Sequence, residues 1–272
     1  MHTVIIPTDF SETATNAIRY GIALFRNRPT KFILMHIMDD RQPTGSLGGL
    51  RERLEKNAEE GLEDLYQRMV ASEHHPGHQF DKCLVRGETV SELVGEAKDR
   101  DASCIVLGTT GASGLKETLI GSVASGTMKR AHCPVLAVPS EATFKPLEHV
   151  ILATDYRPLK DMKVYDYLKD ILTSSSARLT VLNIGKELEM ATMEKTMSGI
   201  TLDKYFEEVP HVYRFLENVS PHDAIIEFTD GEGADMLAMI RHDYDFLKNL
   251  FKRSSVEKVA MHTHTPLLSL PE

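Results

Sequence analysis

Residues 2–11, HTVIIPTDFS, decide the fold of this chain. Thr3 to Pro7 form a short apolar run closed by Thr8-Asp9, and Ser11 stands where it can cap a helix. Beyond it Ala14, Ala17, Ile18, Ile22 and Phe25 recur at helical spacing. The local pattern is strand, acidic turn, helix.

Working outward, Phe32 to Met38 reads as a second buried strand and residues 42–49 (QPTGSLGG) as a flexible loop. Leu50, Leu54, Ala58, Leu62, Leu65 and Met69 then stripe a long helix. Phe80 to Val85, a turn at Gly87 and a helix carrying Val90, Leu93, Val94 and Ala97 follow. Ser103 to Leu107 is the fourth strand, Ser122 to Ala131 the fourth helix and Pro134 to Val138 the fifth strand. Strands alternating with helices predict an α/β fold with a doubly wound parallel sheet.

The second half repeats this order at an offset near 146 residues. Residues 149–156, HVILATDY, answer residues 2–10; Leu179 to Ile184 answer Phe32 to Ile37; Pro266 to Leu270 answer Pro134 to Val138. The expected architecture is two tandem doubly wound, five-stranded parallel sheets with helices on both faces, as domains 1–140 and 147–272. The hinge falls in the polar segment Ser140 to Pro146.

Composition bounds the function. The chain has 272 residues, 42% of them hydrophobic, enough for two ordinary cores. No apolar run reaches the roughly 18–20 residues of a membrane span, and the N-terminus enters a strand pattern without a charged region or cleavage site. A cytoplasmic protein with no membrane partner is expected. Cys83, Cys104 and Cys133 lie in or beside apolar segments without metal-ligand spacing and read as reduced core residues. A net charge of -9 argues against non-specific nucleic-acid binding. Through Lys145 the chain has 17 Lys and Arg against 19 Asp and Glu, and from Pro146 onward 14 against 21, so a polyanionic ligand suits the first half better.

The segment with the strongest ligand signal is residues 104–131, CIVLGTTGASGLKETLIGSVASGTMKRA. Gly108 and Gly111 let backbone N–H groups approach a ligand without Cβ obstruction. Ser122 is placed to cap the next helix, whose free N–H groups and positive dipole end favour phosphate. The pattern Gly108-x2-Gly111-x9-Gly121-Ser122 after an apolar strand, paired with Pro7-Thr8-Asp9-Phe10-Ser11, resembles the ATP-binding subset of the universal stress protein family. The resemblance covers the whole first half. It implies an adenine nucleotide alpha hydrolase-like fold, with Pro7 and Asp9 lining a nucleoside pocket and the backbone of Ile37 holding adenine. Leu107 and Gly108 would border the ribose. Gly111, Gly121, Ser122 and Val123 would hold the phosphates of ATP, with Mg²⁺ carried on those phosphates and on water. All these positions fall at carboxyl ends of parallel strands, where open α/β sheets bind ligands.

Aligning Ser254-Ser255-Val256 with Gly121-Ser122-Val123 puts Arg241 at the place of Gly108 and Tyr244 at that of Gly111, with Asp243 and Asp245 inside the phosphate loop. Ala153 replaces Pro7, leaving Asp155 and Ser255. The second domain is therefore expected to keep the fold and bind no phosphate. The family resemblance implies pairing of the two domains through their fifth strands, Val135 to Val138 and Leu267 to Leu270, as an intramolecular pseudo-dimer, and leaves a homodimer open.

Residues 111–116 fail as a P-loop because Lys116 is flanked by Leu115 and Glu117. His74, His75 and His78 read as a polar surface loop, and His262 and His264 as a strand approach; neither set has a companion carboxylate or Cys at ligand spacing. No metal site and no catalytic residue are assigned. The expected function is a nucleotide-dependent regulator in stress response; the alternatives are an interaction module of the same fold without nucleotide, a slow ATPase, and a genuine ATPase or nucleotidyl transferase using Asp9.

Overall fold

The computed structural model describes residues 1–39, 48–72, 75–111, 121–154, 156, 159, 161–184, 193–216, 221–241 and 265–272. The chain divides into two compact units, Met1–Phe144 and Lys145–Glu272.

In the first unit β1 (His2–Pro7), α1 (Glu12–Leu24), β2 (Thr30–Met38), α2 (Gly48–Ala71), β3 (Gln79–Arg86), α3 (Thr89–Asp99), β4 (Cys104–Gly108), α4 (Ser122–Arg130) and β5 (Val135–Val138) follow in order. The strands lie β3-β2-β1-β4-β5, all neighbours parallel. From β1 the chain steps outward to β2 and β3, then returns across β1 to β4 and steps the other way to β5. Because parallel crossovers are right-handed, that reversal puts α1 and α2 on one face and α3 and α4, which pack together, on the other. The connections leaving the carboxyl ends of β1 and β4 therefore diverge and open a crevice between them.

The apolar run of β1 is central because it is covered on both faces: Val4, Ile5 and Ile6 are all 0% exposed. Each such side chain contributes about 1.5–3 kcal/mol relative to an exposed one. Helix α1 starts where the sequence places it, with Ala14 N–H donating to the Ser11 hydroxyl oxygen at 3.1 Å. In α2 the buried stripe is Ala58, Leu62, Leu65 and Met69, but Leu54 is 42% exposed, against expectation. A 24-residue helix is about 36 Å long and the eight-residue strand β3 about 26 Å, so the first turns of α2 overhang the sheet. Edge strand β3 is only half-buried and carries the ion pairs Lys82 to Glu63 and Arg86 to Glu55, which suit an edge.

The second unit repeats the plan with β6 (His149–Ala153), a short 3₁₀ turn (Met162–Tyr165), α5 (Asp166–Ser175), β7 (Arg178–Ile184), α6 (Met193–Tyr205), β8 (His211–Leu216), α7 (Pro221–Gly231), β9 (Met236–Ile240) and β10 (Leu267–Leu270). Its strands lie β10-β9-β6-β7-β8, again parallel. The likeness extends to the strand starts. Ser103 donates its N–H to the Thr3 carbonyl and its hydroxyl accepts the Thr3 N–H; Asp235 likewise donates to the His149 carbonyl while its carboxylate accepts the N–H groups of Glu148 and His149.

His78 is no surface residue: it is buried, its Nε2 lies 3.1 Å from the carbonyls of Phe25 and Arg28, and it packs edge-on against Phe32 and Phe80. Arg241 does not stand in the place of Gly108. Gly108 pairs with Val138 and Ile240 with Leu270, so Ile240 takes the glycine's place, and Arg241, whose N–H donates to the Leu270 carbonyl, takes that of Thr109, whose N–H donates to the Val138 carbonyl. Strand register is set by the ladder, which an alignment carried back through a loop misses by one residue.

None of the three cysteines is in a disulfide; Cys104 and Cys133 are buried and Cys83 half-buried. Among the described residues no helix is long and apolar enough to cross a membrane.

Candidate functional site

The crevice is built first by the turn that follows β1. Thr8 N–H extends the sheet ladder by donating to the Met35 carbonyl at 2.8 Å. The Thr8 hydroxyl oxygen accepts from Phe10 N–H at 3.0 Å, and the Asp9 carboxylate accepts from Ser11 N–H at 3.1 Å. These short-range bonds, with the Ser11 cap, consume the polar groups of the turn and hold Asp9 out at its exposed crest. Phe10 is left-handed, φ 66°, an outlier for a bulky residue. Its ring lies 4.4 Å from that of His36, and His36 Nδ1 is 2.8 Å from the Thr8 carbonyl.

The opposite wall is the end of β4. A Cβ on Gly108 would lie 2.7 Å from Thr13 Cγ2 and 3.2 Å from the Thr13 carbonyl, so α1 itself excludes a side chain there. A Cβ on Gly111 would lie 2.8 Å from Asp9 Oδ2. Gly121 N–H donates to the Thr109 carbonyl at 2.6 Å, and a Cβ on Gly121 would lie 3.3 Å from that oxygen and 3.9 Å from Gly111 N. Asp9, Gly111 and Gly121 thus converge from three separate segments.

Helix α4 opens at this point, and its N-cap differs from expectation. The cap residue is Gly121, φ -69° and ψ 166°, with no side-chain cap hydrogen bond; Ser122 is the first helical residue and is exposed. An N-cap must be extended and precede the helix, so a serine one position later has its hydroxyl on the helix surface. The first-turn N–H groups of Ser122, Val123 and Ala124 have no intrahelical acceptor, and Gly121 offers no side chain to take them. Val123 is 37% exposed.

Pro7 ends β1 half-buried. Ile37 and Leu107 are buried in β2 and β4, 9% and 3% exposed, so only their main chains are available to a ligand. Lys116, the residues between Gly111 and Gly121, and Asp155, Asp243, Tyr244, Asp245 and residues 254–256 lie outside the described residues. His36, Phe10 and Thr13 were missed by sequence reasoning. The signal was present: β2 and β7 each carry one polar residue late in an apolar run, His36 in FILMHIM and Asn183 in LTVLNI.

A doubly wound parallel fold made twice, with a helix-capped crevice at the strand reversal, defines a class of tandem α/β protein of the adenine nucleotide alpha hydrolase-like type. The universal stress protein family model matches residues 1–139 and again 146–271, and the chain belongs to that family as a tandem member. It is 31% identical over 140 residues to the universal stress protein MJ0531 of Methanocaldococcus jannaschii, covering 50% of this chain and 80% of the relative. It is 28% identical over 154 residues to MJ0577 of the same organism, covering 50% and 93%. A solved universal stress protein from Archaeoglobus fulgidus superposes with a TM-score of 0.76 over 99% of this chain and 98% of its own, at 18% identity, a likeness of fold.

Proposed function

We propose that the first unit binds an adenine nucleotide, ATP with Mg²⁺ held through its phosphates, in the crevice between β1 and β4, and that occupancy regulates a cytoplasmic stress response. The observation that carries this is the convergence of Asp9, Gly111 and Gly121 beside the N-terminus of α4. Without a side chain at 111 or 121, phosphate oxygens reach the N–H groups of Ser122 and Val123 and the Ser122 hydroxyl, where the helix dipole favours negative charge. Pro7 and Asp9 on one wall, the main chain of Ile37, and Leu107 with Gly108 on the other then serve the nucleoside. The acidic Asp9 suits ribose hydroxyls, which donate, better than phosphate. In this reading the second unit is the fold-keeping partner that binds no nucleotide.

A second reading has an observation of its own. Gly108 is required by the approach of Thr13, so part of the glycine pattern serves packing. An interaction module without nucleotide would keep that glycine too. Calorimetric titration with Mg-ATP separates the two. Saturable binding that is lost in Gly111→Arg and kept in Asp243→Ala is the expected result; no heat up to millimolar ATP overturns nucleotide binding.

A further inference from the structure

We propose that His36 is a positioning residue for the ligand turn of the first unit, holding Thr8 to Ser11 in the conformation that presents Asp9; the inference rests on the nucleotide-binding reading above. His36 is half-buried in a strand that is apolar beyond Thr30 and Lys31 at its start, where an unused polar group costs stability. It is used twice. Its Nδ1 faces the Thr8 carbonyl at 2.8 Å, and since a carbonyl oxygen only accepts, Nδ1 carries the hydrogen. Its ring packs at 4.4 Å on Phe10, the residue with the left-handed backbone.

The second unit shows which of these properties the position requires. There Asn183 stands in the place of His36, and its side-chain amide donates to the Thr154 carbonyl at 2.7 Å. Thr154 repeats Thr8: its N–H donates to the Leu182 carbonyl and its hydroxyl accepts from Tyr156 N–H at 3.2 Å. Tyr156 repeats Phe10, with φ 56°. Two side chains of different shape each make the same hydrogen bond to the same carbonyl beneath a left-handed turn. What they share is an N–H donor at that reach. Donation ties the Thr8 carbonyl to β2 and so anchors the start of the turn in which Phe10 is left-handed. Asp9 sits between the tied residue and the strained one.

The test uses the full chain and three substitutions. His36→Asn keeps a donor, His36→Phe keeps a ring on Phe10, and His36→Ala keeps neither. Mg-ATP affinity is measured by calorimetry well below the melting transition. His36→Asn is expected within about twofold of the natural chain, and His36→Phe and His36→Ala weaker by about fivefold or more, the loss of one net hydrogen bond. If His36→Ala or His36→Phe binds with natural affinity, even while melting lower, the positioning role is overturned. It is overturned equally if His36→Asn binds as weakly as His36→Ala. If the natural chain takes up no Mg-ATP, the nucleotide reading fails by itself, and hydrogen exchange at the Phe10 amide decides this inference. Slow exchange in the natural chain and His36→Asn with faster exchange in His36→Ala supports it; equal rates in all three overturn it.

Discussion

Gly108 and Gly111 stand three residues apart and are expected to respond to the same substitution in opposite ways. Neither has a positive φ, so alanine is compatible with the backbone at both, and the outcome turns on what the added methyl meets. At 108 it meets Thr13 Cγ2 at 2.7 Å and the Thr13 carbonyl at 3.2 Å, part of the first turn of α1, which cannot step aside. Overpacking of this kind costs about 1–3 kcal/mol, more than the 0.4–1 kcal/mol that alanine returns by restricting the unfolded chain. At 111 the methyl meets, among the described residues, the Asp9 carboxylate, 2.8 Å from Oδ2, at an exposed position where the side chain rotates away. Gly111→Ala should therefore change stability by less than about 0.5 kcal/mol. The displaced carboxylate instead lowers Mg-ATP affinity, by about tenfold if one charge-assisted hydrogen bond is lost. The chain has no tryptophan, so far-UV circular dichroism in urea reports stability and calorimetry reports affinity. Equal destabilisation by the two substitutions, or a Gly108→Ala protein as stable as the natural chain, would refute the division between a packing glycine and a ligand glycine.

Two further outcomes follow from the described contacts. Ser11→Ala removes the acceptor of the Ala14 N–H and should cost about 1 kcal/mol by urea unfolding, with Ser11→Asp restoring most of it. Buried His149 accepts from the Arg178 guanidinium and lies 2.8 Å from the Thr180 hydroxyl; burial and then Arg178 hold its pKa below the ordinary histidine value. The unfolded chain thus takes up the proton first, so the contribution is fully present above about pH 6.5 and is lost as pH falls through the lowered folded value. The urea midpoint should drop from pH 7 to pH 5 and do so less steeply in His149→Asn; identical slopes would exclude His149 as a source.

The fold was legible because the strand signals were strong and repeated. Val4 to Ile6, Phe32 to Met35 and Ile105 to Leu107 are apolar runs that only a sheet covered on both faces buries, and the same order recurs after the hinge. The candidate site was legible as glycine spacing, but not as contacts. Sequence could not show that Gly108 answers to Thr13 while Gly111 answers to Asp9, since both contacts link segments about a hundred residues apart. Ser122 looked like a cap because serine favours that role; which residue turns extended is set by the Gly121 to Thr109 bond. His36 and Asn183 were overlooked because a histidine and an asparagine share little except the N–H that both direct at a carbonyl.

That bond from Gly121 to Thr109 also has a practical meaning. It ties Thr109 to Gly121 directly, so the span between β4 and α4 is fixed by these two anchors and not by the eleven residues of sequence between them. Doubling that length adds only about 0.6 kcal/mol of closure entropy. Lengthening the sequence between Thr109 and Gly121 should therefore leave the entrance to α4 where it stands.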